Sequence, residues 1–169
     1  MGVVTTKTGD KGTTGTFDGR RVSKGALEVE VLGSLDELFS FIGVAKSFSK
    51  NEEIKNKLDE IQRDIQIVLG KYCYIKDNEE QIIGIKNKYE KWIEQYNYLY
   101  KDLNGFVISG VNQSESFIFL SRSVCRRVER LVVRRMEAEP EYNSVQVFLN
   151  RLSDLLFILS LFERKNPNS

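Results

Sequence analysis

The chain has 169 residues, enough for one domain with a substantial core, and 41% of them are hydrophobic. Its 25 Lys and Arg residues nearly balance 24 Asp and Glu, so the net charge is +1, which argues against a surface built throughout for nucleic acid. There is no histidine, which excludes Ser-His-Asp and Cys-His catalytic sets, His-ligated metals and imidazole proton shuttles.

The first 25 residues are set apart by composition. Six glycines lie between Gly2 and Gly25, with Thr5, Thr6, Thr8, Thr13, Thr14 and Thr16 among them. Glycine and small hydroxyls favour turns, so the spacing predicts an ordered loop or a short hairpin. Residues 1–11 are polar and carry no apolar signal stretch.

From Val29 onward the pattern is helical, and five helices are predicted. The first covers residues 29–48, with Val31, Leu35, Leu38, Phe39 and Ile42 as its apolar stripe. The second carries Ile54, Leu58, Ile61, Ile65 and Val68; the third carries Ile85, Tyr89, Trp92, Tyr96, Leu99 and Leu103. The fourth spans residues 113–137. The fifth starts near Pro140, a favoured first-turn residue, and shows Val145, Leu149, Leu152, Leu156 and Leu159. Each stripe is one face of a 3.6-residue helix, and short connections imply an all-α antiparallel bundle. The apolar cluster at residues 155–161 is interrupted by Ser160 and is too short to span a bilayer. Two cysteines, Cys73 and Cys125, make neither a disulfide framework nor a four-thiolate zinc site. A reduced, cytoplasmic protein with no membrane partner is expected.

Three groups of residues could carry chemistry. The run Thr6-Lys7-Thr8-Gly9-Asp10-Lys11-Gly12-Thr13-Thr14 combines close backbone approach, hydroxyl donors and positive charge, the requirements of a phosphate cradle. It is not a Walker A loop, and composition alone also allows a flexible polar tail. Lys24 lies just beyond it. On the fourth helix Arg122, Arg126 and Arg130 recur every four residues and line one face, beside Arg127, Arg134 and Arg135. Stacked arginines need an anion, whether carboxylate or polyphosphate; a solvated charged face is the alternative. The intervening Val124, Cys125, Val128 and Leu131 make this helix half-buried, which disfavours nucleic acid. Asp36, next to Leu35, is expected to meet Arg122 or Arg126, whereas Glu37 and Asp154 read as outward residues.

Five motifs then occur in order: Thr6-Lys7-Thr8-Gly9-Asp10-Lys11-Gly12, Arg21-Val22-Ser23-Lys24, Gly33-Ser34-Leu35-Asp36-Glu37-Leu38, Arg122-Ser123-Val124-Cys125-Arg126-Arg127-Val128-Glu129-Arg130 and Leu149-Asn150-Arg151-Leu152-Ser153-Asp154. Together they closely resemble the PduO-type ATP:cob(I)alamin adenosyltransferases, over roughly residues 5–162. The resemblance implies a single domain, residues 1–169, with a nucleotide-binding loop at 1–25 and a five-helix bundle at 29–164. It implies a homotrimer with active sites between subunits, and transfer of the 5′-deoxyadenosyl group of ATP to a corrinoid cobalt with release of triphosphate. ATP, Mg²⁺ and cobalamin are the implied ligands. A reductase supplying Co(I) and an adenosylcobalamin-dependent enzyme are the implied partners.

By that resemblance Thr6, Lys7, Thr8, Gly9, Thr14, Gly15 and Lys24 wrap the phosphates. Arg126, Arg127, Val128, Glu129, Arg130 and Asn150 complete the nucleotide site. Asp36 pairs with Arg122 across the subunit interface, and Phe106 covers the lower face of the corrin. Arg126, Phe106, Asp36 and Arg122 form the implied catalytic set; the metal-holding residues are unassigned. Two departures stand out: Gly15 replaces a common serine, and Ser109 replaces a proline in the loop that carries Phe106. A non-catalytic trimeric protein that binds ATP or delivers adenosylcobalamin is the alternative function.

Overall fold

The computed structural model describes residues 5, 7–74, 79–101, 103, 105–138 and 140–166. Strands β1 (Thr13–Gly15) and β2 (Arg21–Ser23) form an antiparallel hairpin with Thr14 opposite Val22. Threonine and valine suit a pleated strand. The turn between them closes through Thr16 N–H donating to the Arg20 carbonyl at 2.9 Å. Gly19 sits there at φ +85°, a conformation that favours glycine.

Among the described residues six α-helices follow: α1 (Leu27–Phe48), α2 (Glu52–Tyr74), α3 (Glu79–Tyr96), α4 (Tyr98–Lys101), α5 (Gln113–Met136) and α6 (Asn143–Lys165). Helix α5 is central: it packs most extensively against α1 on one side and α6 on the other. Side-chain contacts give the directions. Arg135 faces Glu28 and Phe48 stacks on Phe117, so α1 and α5 are antiparallel. Cys125 donates to the Leu149 carbonyl and Arg164 meets Glu115, so α5 and α6 are antiparallel too.

The predicted stripes form the core. Leu35, Leu38, Ile42, Leu58, Ile61, Ile65, Val128, Leu149, Leu152 and Leu156 are all fully buried. At the α2–α3 seam the buried Asp64 carboxylate accepts from Tyr89 Oη at 2.8 Å and pairs with Lys88 Nζ at 2.7 Å, so its charge is compensated.

The helical expectation needs three corrections. The first helix starts at Leu27, two residues early. The third stripe is not one helix: at Asn97 the bonding shifts to i−3, with Asn97 N–H to Glu94 O (3.2 Å) and Tyr100 N–H to Asn97 O (3.1 Å), ending α3 and opening α4. Leu103 packs on the core from beyond α4. The last helix is preceded by a 3₁₀ turn, Pro140–Tyr142. The stretch Pro140–Lys165 is long and apolar enough to cross a bilayer, but its apolarity has a local use, because Phe148, Leu149, Leu152, Leu155, Leu156 and Leu159 are all core.

Candidate nucleotide and corrinoid site

The structure gathers the expected site residues into three groups. The first is the N-terminal cradle. Lys7 holds φ +56°, and the chain turns back through Asp10 N–H to Lys7 O (3.4 Å) and Gly12 N–H to Gly9 O (3.2 Å). Lys24 lies over Gly9: a Cβ added at Gly9 would sit 3.0 Å from the Lys24 ammonium. Glycine is thus what lets that charge lie against the loop backbone. Lys24 N–H donates to the Gly12 carbonyl at 2.9 Å, fixing the approach. Thr6 lies outside the described residues. Thr14 and Gly15 lie in β1, where a Cβ at Gly15 would meet nothing, so a serine is sterically free there.

The second group lies on α5 and α6. Arg126 and Arg130 are exposed and make no ion pair among the described residues. Arg127 turns toward α1 and pairs with Glu37, so Glu37 is not simply an outward residue. Val128 is fully buried in the core, which leaves its side chain no surface to offer a ligand. Glu129 accepts from Gln146 Nε2 and Asn150 Nδ2, both at 3.1 Å. A carboxylate only accepts, so both amides present their NH₂ groups to it and direct their carbonyl oxygens elsewhere. Glu129 therefore orients Asn150. Asp154, expected to be outward, is exposed and pairs with Arg151 at 3.0 Å.

The third group lines a cleft of about 1080 Å³ between α3, α5, α6 and the segment before α5. Ile93, Tyr100, Phe119 and Phe157 supply apolar wall; Glu90, Arg122, Arg151 and Asp154 supply charge. Phe106 stands in this cleft, fully exposed. Its segment is pinned despite Ser109. Glu115 accepts from Gly110 N–H (2.9 Å) and Val111 N–H (3.2 Å), while Arg164 donates to the Ile108 carbonyl and pairs with Glu115. Asn112 caps α5 by accepting from Glu115 N–H at 2.8 Å, while the Glu115 side chain reaches back to the two N–H groups just before the cap.

Arg122 makes no ion pair among the described residues, although Asp154 in the same cleft acts on it at longer range. Its guanidinium lies 5.2 Å over the Phe157 ring, and its Nε is buried without a hydrogen bond. Burial and the neighbouring Arg126 both push its pKa below the ordinary value. Asp36 is exposed on α1 with no partner among the described residues, so within one chain it meets neither Arg122 nor Arg126. Among the described residues no hydrogen bond or ion pair joins the cradle to Arg126, Arg130 or Asn150 either.

Sequence reading missed Arg21, Gln146 and the Glu115–Arg164 clamp as site-building residues. Strand alternation gave a signal for Arg21, because Val22 faces inward and its neighbours face away. Asn-x-x-Glu at residues 112–115 gave one for the cap. Arg164 is 49 residues from Glu115 and had no local signal.

The sequence profile of the cobalamin adenosyltransferase family matches residues 4–163. A cobalamin adenosyltransferase of Cupriavidus metallidurans is 34% identical, across 93% of this chain and 85% of its own. A corrinoid adenosyltransferase of Bacillus subtilis is also 34% identical, across 90% of this chain and 81% of its own. A solved structure of a variant PduO-type ATP:corrinoid adenosyltransferase from Lactobacillus reuteri, complexed with cobalamin and ATP, superposes with a TM-score of 0.87 at 28% identity, covering 96% of this chain and 91% of that one. The chain belongs to the cobalamin adenosyltransferase family, in its PduO type.

Proposed function

We infer that this chain transfers the 5′-deoxyadenosyl group of ATP to the cobalt of cob(I)alamin or a related corrinoid, giving adenosylcobalamin and triphosphate. The observation that carries this reading is the match of nearly the whole chain to an adenosyltransferase solved with both cobalamin and ATP. The Co(I) electron pair forms the Co–C bond as the ribose C5′–O bond breaks and triphosphate leaves. No proton is abstracted, so a protein without histidine suffices.

The protein's work is alignment and charge. Lys7, Thr8, Gly9, Thr14, Gly15 and Lys24, with Thr6, wrap the phosphates; Arg126 and Arg130 meet charge that grows on the leaving group. Asn150, held by Glu129, accepts from the nucleoside. Arg127 and Val128 shape the helix that carries these groups. Among the described residues no three acidic or Cys side chains stand together to hold a metal. Mg²⁺ bound to the phosphates would neutralise their charge. Phe106 excludes a ligand from the lower corrin face in the large cleft.

The three separated groups support a site completed between subunits. Among the described residues neither Arg122 nor Asp36 makes an ion pair, and a second copy would supply a partner for each. A homotrimer with Asp36–Arg122 bridges is the proposed assembly, located in the cytoplasm. A reductase makes Co(I), and an adenosylcobalamin-dependent enzyme takes the product. Removing one partner of a desolvated pair costs roughly 3–5 kcal/mol. Asp36→Asn should loosen the assembly in sedimentation velocity, and the swap Asp36→Arg with Arg122→Asp should recover part of the loss. A purely additive double variant removes the pairing.

The central test is an anaerobic assay with ATP, a reductant and cob(II)alamin, followed by absorbance. Equimolar adenosylcobalamin and triphosphate are expected. Tight ATP binding without turnover would instead identify a non-catalytic binding or delivery protein.

A further inference from the structure

We propose that Arg21 is a positioning residue for the nucleotide: its guanidinium staples the 8–13 loop to the hairpin and so holds the phosphate cradle open beneath Lys24. One nitrogen does this. Arg21 Nη2 donates to the Thr8 carbonyl at 2.6 Å, the Thr13 carbonyl at 3.3 Å and Thr13 Oγ1 at 2.5 Å. These bonds span residues 8 to 21 and join both ends of the loop to β2. The backbone bonds inside the loop are longer, 3.4 Å for Asp10 N–H to Lys7 O and 3.2 Å for Gly12 N–H to Gly9 O. They hold turns, not the distance between the loop and the strand.

The strand register explains why Arg21 can reach. Arg21 pairs with Gly15, and Thr13, two residues earlier on β1, shares that face. Gly15 has no side chain to crowd the arginine. Val22 faces the other way and is half-buried. Nη1 and Nε of Arg21 make no hydrogen bond among the described residues, so their charge stays beside the cradle that Gly9 and Lys24 form. A charge-assisted donor to two backbone carbonyls is stronger than a neutral one, which suits a loop with little apolar surface of its own.

This inference rests on the nucleotide reading of the cradle, and its test separates the two. Hydrogen exchange of the amides at residues 8–13 is measured in the ATP-free protein, together with steady-state KM and kcat for ATP and corrinoid. Arg21→Ala should speed exchange in that loop and raise KM for ATP by about tenfold or more, with kcat and the corrinoid KM nearly unchanged. Thr13→Val, which removes only the hydroxyl acceptor, should shift both readouts less in the same direction. Arg21→Lys, or methylguanidine added to Arg21→Ala, should recover part of the ATP affinity. Unchanged exchange in Arg21→Ala overturns the staple. So does a fall in kcat at unchanged KM, which would place Arg21 on the reacting groups. Faster exchange in a protein whose wild type binds no ATP keeps the staple and removes the nucleotide reading instead.

Discussion

The hairpin and the bundle are held together by different physics. In the bundle, fully buried side chains from α1, α2, α5 and α6 exclude water over a continuous core. In the residue 7–24 segment only Gly9, Thr13, Thr14, Thr16 and Val22 are even half-buried, and the ties are polar, running from Arg21, Asp18 and Lys24 to nearby backbone and hydroxyls. Asp18, for instance, is held down at about pKa 2 by the Thr16 hydroxyl first and by Arg20 second. Stability is therefore concentrated in the helices, and binding geometry in a segment that contributes little to stability. Damage to one region should leave the other region's property nearly intact.

The largest break of that comparison is a core truncation. Phe148 is fully buried and tilts against Tyr89 at 5.7 Å. Phe148→Ala should cost about 3–5 kcal/mol in urea unfolding. The folded fraction should keep wild-type KM for ATP; a large KM change would mean that the core transmits strain to the cradle. The converse break is Arg126→Ala. This exposed residue makes no ion pair among the described residues, so thermal stability should hold while catalysis loses about 1.5–3 kcal/mol of phosphate stabilisation. Wild-type turnover in that variant would remove Arg126 from the site.

A smaller change sharpens the contrast inside the cradle. Gly9→Ala places a Cβ 3.0 Å from the Lys24 ammonium and 3.2 Å from its Cε, both at the flexible end of the side chain. The lysine can swing away at little cost, so stability should not move. ATP affinity should fall by about tenfold as the charge leaves the loop, read by calorimetric titration. Unaltered affinity would show that Lys24 acts from another position.

The same contrast explains what the sequence revealed. Helices announce themselves by period, and the predicted stripes are mostly buried, with Phe39, Trp92 and Leu103 packed at the edge of the core, because a core face must recur every turn. Breaks are less visible: Asn97 ends α3 inside an unbroken apolar stripe, since Leu99 and Leu103 stay apolar whether or not the backbone remains helical. Candidate site residues were legible where glycine, threonine and arginine cluster locally. Their partners were not. Arg127 meets Glu37 from 90 residues away, and Glu129 meets Asn150 from 21 residues away on the next helix. Such pairings depend on helix rotation and packing, which no local pattern encodes.

The smallest expected effect tests whether the bundle's own polar groups follow the same rule. Glu163 is buried to 1% exposure at the end where α1, α5 and α6 meet, and Ser49 donates to it at 3.1 Å. Burial raises its pKa above the ordinary value, and the hydroxyls of Ser114 and Ser49 only partly counter that. A carboxyl raised in the folded state holds its proton more tightly folded than unfolded. Its favourable contribution is therefore complete below the unfolded value and is lost as pH rises through the folded value. Glu163→Gln removes this titration and keeps a carbonyl to accept from Ser49. Any cost of burying the new amide is the same at every pH, so the signal lies in the slope. Relative to wild type, the variant should gain stability as pH rises from the ordinary carboxyl range upward, by at most about 1.4 kcal/mol per pH unit for one proton. The gain should level off once wild-type Glu163 is ionised in both states. Urea unfolding of both proteins between pH 4 and pH 8 measures it, and a difference that stays constant across that range would mean that Glu163 is as well solvated by its hydroxyls as by water.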